Sequence, residues 1–134
     1  MSSDANELMP HSGALFPEED SRVTGVEPAS PAAAVQHLAD RLPERLWLGT
    51  SSWYFPGWAG LVWDRLYSEK QLSRDGLAAY GQHPLLGAVG LDRGFYRPLT
   101  TQEYAAYADV VSGDFRFVVK GPSLVTDALI REAG

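Results

Sequence analysis

Cysteine is absent from the 134 residues, which excludes disulfides and thiolate metal sites. Basic residues never form a run. The net charge of −6 also has the wrong sign for a generic nucleic-acid or anionic-membrane surface, which needs clustered Lys and Arg. No apolar stretch approaches the roughly 18 residues that span a bilayer. The opening Met-Ser-Ser-Asp-Ala-Asn-Glu lacks the apolar segment of a secretory signal. Neither nucleic acid nor a membrane is therefore expected as a partner, and the expected compartment is the cytoplasm. His11, His37 and His83 sit in different segments without partner spacing, so no metal site is expected. No cofactor is implied either. Gly49 and Gly57 are wrongly spaced for a Rossmann fingerprint, and there is no Walker loop.

What remains is a chain of ordinary globular composition, 45% apolar, with the length of one domain. Its acids are unevenly placed. Residues 1–45 carry eight acidic side chains against Arg22, Arg41 and Arg45, a net −5 that leaves −1 for the rest. Residues 1–30 hold Pro10, Pro17 and Pro28, scattered acids and no sustained periodicity. Such a segment buries too little apolar surface to offset its ordering entropy, so it reads as a disordered tail. A docking peptide around Leu15 and Phe16 is the sharper alternative. Residues 31–45 read as a short helix and linker, with Pro31 in the first turn and good helix formers in Ala32-Ala33-Ala34.

From residue 46 the pattern changes. Leu46-Trp47-Leu48-Gly49-Thr50, Leu85-Leu86-Gly87-Ala88-Val89-Gly90-Leu91 and Phe115-Arg116-Phe117-Val118-Val119-Lys120 are short β-favouring runs. Each ends in polar residues or a Gly-Pro break. Between them lie helical patterns. Residues 73–83 place Leu77 and Tyr80 three apart, with Ser73 as the expected N-cap. Thr100-Thr101-Gln102-Glu103 reads as a capping box, followed by a stripe of Tyr104, Tyr107, Ala108 and Val111. A last helix is expected from Ser123, with Leu124, Ala128 and Leu129 on one side. The order β-α-β-α-β-α predicts an α/β fold with parallel strands and right-handed crossovers. Periodicity alone leaves a barrel and an open doubly wound sheet both open.

Several motifs narrow this. Leu48-Gly49-Thr50-Ser51-Ser52-Trp53 followed by Pro56-Gly57-Trp58, then Phe95-Tyr96-Arg97, then Phe115 through to Lys120-Gly121-Pro122 occur in order. Together they resemble the first third to half of the YecE-like family known as domain of unknown function 72. The likeness covers about residues 46–127 and implies the start of a TIM (β/α)8 barrel, but no agreed activity. Many relatives carry Glu-x-Asn where this chain has Gly90-Leu91-Asp92, so Asp92 alone keeps a polar group at that strand end. A closed barrel takes about 250 residues and eight strands. Three strands predict a truncated member over residues 46–134, with an unpaired edge. Self-association or a completing chain would cover that edge.

In parallel α/β folds ligands bind outside the carboxyl ends of the strands. That rule selects Thr50, Ser51, Ser52 and Trp53, then Asp92, Arg93 and Tyr96, then Lys120. Lys120, after apolar neighbours, is expected to be partly desolvated and suited to general-base, Schiff-base or anion-binding use. Its bland alternative is a solvated lysine at a strand end, or one paired with Asp92. Asp92 reads as an acid and Arg93 as an anion binder, on opposite faces of one strand. The serines lack a histidine partner and read as hydrogen-bonding groups. The dense aromatics Trp53, Tyr54, Phe55, Trp58 and Trp63 read first as packing. Two functions follow: a barrel that takes a small anionic or sugar-like metabolite at this rim, or a non-catalytic module that associates through its open edge.

Overall fold

The computed structural model describes residues 25–127. Among them it shows a mixed α/β arrangement of three strands, five α-helices and a short 3-10 turn. The strands are β1 (Leu48–Thr50), β2 (Leu86–Leu91) and β3 (Arg116–Val119). They form one parallel sheet in the order β1-β2-β3. Leu15 and Phe16 of the expected tail, and Ala128 and Leu129 of the expected last helix, lie outside the described residues.

The chain enters the fold earlier than its composition suggested. Val26 is buried, the Ala29 amide donates to the Val62 carbonyl, and the Asp64 amide donates to the Glu27 carbonyl. Helix α1 (Ala33–Ala39) follows and buries none of its residues. Its alanine run supplies the helix propensity, and only Val35 and Ala39 are half-buried.

The helix expected over residues 73–83 is two short ones, α2 (Glu69–Asp75) and α3 (Leu77–Tyr80), divided at Gly76. The true N-cap is Ser68, whose hydroxyl accepts from the Gln71 amide, with Glu69 in the first turn and Arg74 in the last. This arrangement suits the helix dipole at both ends. Ser73 lies inside α2, where its own carbonyl and hydroxyl accept from Arg93. Helix α4 (Thr101–Asp109) begins with the full capping box, and α5 (Ser123–Thr126) follows β3.

The core lies on one side of the sheet. Val89, Leu91 and Phe115 are buried there with Trp53, Trp63, Leu72, Leu77 and Tyr80, and Phe117 packs against the group. Complete burial of a side chain such as Leu72 stabilises the fold by about 1.5–3 kcal/mol. The aromatics stack in a chain: Trp58 to Tyr80 at 6.3 Å, Tyr80 to Phe115 at 6.2 Å and Phe115 to Phe117 at 5.2 Å between ring centres. Alternation along each strand puts Gly49, Ala88, Gly90, Arg116 and Val118 on the other face. Val118 there is 70% exposed.

Candidate functional site

The face of the sheet that the described residues leave uncovered holds a concavity of about 480 Å³, lined by Trp47, Ser51, Gly90, Asp92 and Val118 among others. Two glycines shape it. A Cβ on Gly49 would lie 2.0 Å from the Ala88 carbonyl oxygen, and one on Gly90 would lie 2.7 Å from that of Ser51. Strand β1 therefore approaches β2 closer than any side chain allows. The register also slips between Leu48 and Gly49, which pair with Leu86 and Ala88.

Tyr80 organises the end of β1. The Thr50 amide donates to the Tyr80 hydroxyl at 3.1 Å, and that hydroxyl donates to the Ala88 carbonyl at 2.9 Å. The Thr50 hydroxyl donates to the Ser52 carbonyl at 2.6 Å and lies 2.8 Å from the Tyr80 oxygen. The ring is fully buried, and burial raises the hydroxyl's pKa above its ordinary 10.0. Thr50 thus lines the concavity with its hydroxyl already engaged by Ser52 and Tyr80. Ser51 is exposed and lines the concavity, while Ser52 is half-buried and gives its carbonyl to Thr50.

Asp92 and Arg93 part company at the end of β2. Asp92 is exposed and lines the concavity. Arg93 turns the other way, with its guanidinium 4.5 Å from the ring centre of Trp53, and donates to Ser73 and to the Tyr107 hydroxyl. Trp53 itself is 1% exposed and belongs to the core. Tyr96 is 89% exposed and meets Phe95 edge to face.

Lys120 is exposed, against the expectation of desolvation. β3 is an edge strand, and the apolar residues before the lysine, Val118 and Val119, are themselves exposed. The lysine's Nζ sits 4.0 Å from the ring centre of Phe95, a cation–π contact. Its amide donates to the Leu91 carbonyl, which extends the ladder so that Lys120 stands beside Asp92.

The structure thus brings Thr50, Ser51 and Asp92 to one concavity with Lys120 beside it. It assigns Trp53 and Arg93 to internal contacts and leaves Tyr96 in solvent. Trp47, read from sequence as packing, is 41% exposed. It is held by its indole N–H on the Asp114 carbonyl and by the Arg116 guanidinium over its ring. Tyr80 carried only the signal of core spacing from Leu77. Among the described residues no cluster of three or more His, Cys, Asp or Glu could hold a metal ion, and no helix is long and apolar enough to cross a membrane.

No curated protein and no solved structure matches the chain. The model of one family, described as "Protein of unknown function DUF72", matches residues 47–132. That span is more than half of the chain and takes in all three strands, the concavity and the aromatic core, and the chain belongs to that family.

Proposed function

We propose that this protein binds a small sugar-like metabolite on the open face of its sheet, at the carboxyl ends of the strands. The observation that carries the reading is the concavity in which Ser51 and Asp92 stand over an apolar floor of Ala88, Gly90 and Val118. A carboxylate and a hydroxyl suit vicinal hydroxyl groups, and the flat floor suits the C–H face of a sugar ring. Lys120, next to Asp92, would add an anion contact if the metabolite carries a phosphate or carboxylate. We further infer that the sheet is an arc of a (β/α) barrel. Its strands follow in sequence order and the core of the described residues packs on one side only, whereas a doubly wound sheet reverses its order and carries helices on both faces. A crystal structure with a helix packed across the open face would overturn the barrel reading.

The binding test is ligand-observed NMR with a panel of neutral monosaccharides and sugar phosphates, followed by titration of any hit. Asp92→Asn is expected to weaken binding about tenfold or more, the loss of a charged hydrogen bond. Lys120→Ala is expected to weaken only the phosphorylated members. A panel without a single binder, or hits indifferent to Asp92→Asn, would refute the proposal.

A second reading is favoured by one observation: Val118 and Val119 are 70% and 48% exposed on an edge strand. Such an edge invites another strand. In this reading the protein associates through β3 without catalysis. Sedimentation velocity across a hundredfold range of concentration should then show a rising coefficient, and a constant monomer would exclude it.

A further inference from the structure

Arg93 binds where three elements converge, and it does so away from the concavity. Its guanidinium carbon lies 4.5 Å from the ring centre of Trp53, 5.5 Å from that of Tyr54 and 5.8 Å from that of Tyr107. Nη1 donates to the Tyr107 hydroxyl at 3.0 Å, and Nη2 donates to the Ser73 carbonyl at 3.0 Å and to the Ser73 hydroxyl. Trp53 and Tyr54 belong to the loop after β1, Ser73 to α2 and Tyr107 to α4. The ion pairs among the described residues are Arg74–Asp75 and Arg97–Glu103, so this half-buried cation meets aromatic faces and neutral oxygens instead.

The rings are also arranged around it. Trp53 meets Tyr54 at 86° and Tyr107 at 64° between planes. The Trp53 indole nitrogen is buried without a hydrogen-bond partner among the described residues, and packing and the stacked cation hold that ring in place. A guanidinium fits such a site better than an ammonium, because its plane stacks and its fork serves two acceptors at once.

We propose that Trp53, Tyr54 and Tyr107 form an aromatic cage for a guanidinium, that its resident ligand is the protein's own Arg93, and that this occupancy sets the position of the loop over residues 51–54. Arg93 is a positioning residue. The inference is independent of any metabolite on the opposite face.

The test is chemical rescue. Arg93→Ala is expected to lower Tm by roughly 8 °C or more and to weaken the near-UV circular dichroism of the buried tryptophans. Free guanidinium or methylguanidinium at about 20 mM, far below the molar range in which guanidinium unfolds proteins, should restore both signals saturably. Methylammonium should not, and Arg93→Lys should remain deficient. An unchanged Tm, no rescue, or equal rescue by methylammonium would overturn the proposal. The wild-type protein gives a check that needs no variant: the Arg93 Nη protons should be separately resolved and displaced upfield by the rings. A single averaged signal at the ordinary position would refute the cage.

Discussion

The phenol oxygen of Tyr80 stands inside the β1–β2 ladder, taking the Thr50 amide on one side and giving its proton to the Ala88 carbonyl on the other. A side chain from α3 thereby replaces a strand-to-strand hydrogen bond. It spaces the end of β1 where the serine loop begins. Tyr80→Phe keeps the buried ring and strands two backbone groups. The expected loss is about 1–3 kcal/mol for each group left unpaired, read by urea denaturation, together with faster amide exchange at Thr50. A loss below about 0.5 kcal/mol would mean that the ladder closes without the hydroxyl.

The close approach of the same strands predicts a contrast between two glycines. A Cβ on Gly49 would sit 2.0 Å from the Ala88 oxygen, whereas one on Gly113 meets nothing within 4 Å. Gly49→Ala should therefore destabilise the protein by about 2 kcal/mol or more through forced separation of backbone from backbone. Gly113→Ala should stay within about 0.5 kcal/mol of the parent. Equal midpoints in parallel denaturation curves would contradict the strand spacing.

Acid titrates the start of α4. The Arg97 guanidinium and then the Thr100 amide hold the Glu103 carboxyl down at about 2, below its ordinary 4.5. A carboxyl depressed in the folded state adds stability that is present above pH 4.5 and is lost as pH falls towards 2. Glu103→Gln should flatten the pH dependence of Tm in that window, and an unaltered slope would show that the capping box does not titrate. Thr100→Ala is expected to cost about 1 kcal/mol at neutral pH as well, since the Glu103 amide loses its acceptor.

His83 works in a higher window. Burial pushes its pKa below 6.5, and its Nδ1 accepts from the Leu85 amide at 3.2 Å. The folded state resists protonation more than the unfolded one, so stability present above pH 6.5 should decline as pH falls below it. His83→Asn offers an oxygen to the same amide without a proton to gain. Its stability should be level between pH 7 and pH 5 where the parent's falls, and two parallel profiles would exclude His83 as the cause.

Local chemistry was readable in the sequence, and chemistry between distant elements was not. The capping box at Thr100 and Glu103 needs only four residues, and it forms as read. The three strands follow from β-favouring runs, each shortened by a residue or two at its ends. The start of α2 was misplaced because Ser68 and Ser73 are both plausible caps, and the choice depends on Ser73 facing Arg93. At the rim, the strand-end rule selected Ser51 and Asp92, which meet in the concavity. It could not separate them from Arg93, whose partner Tyr107 comes from a helix far along the chain, or show that the Thr50 hydroxyl is taken by Tyr80. The desolvation expected for Lys120 rested on its apolar neighbours in the chain, and Val118 and Val119 are themselves exposed on the edge strand.

Alternation at Asp92 and Arg93 gives this dipeptide an unusual genetic sensitivity. One residue lies in the concavity and the next in the aromatic cage, so their order encodes which charge reaches which side of the sheet. A substitution at either position disables one feature and spares the other. Loss of a single codon within β2 shifts the register by one and exchanges the two faces. It would bring Arg93 to the place of Asp92 in the concavity and drive the Asp92 carboxylate into the buried place of Leu91, leaving the cage to Gly94. Deletion scanning should therefore find this strand end less forgiving than any point-mutation survey of the same residues.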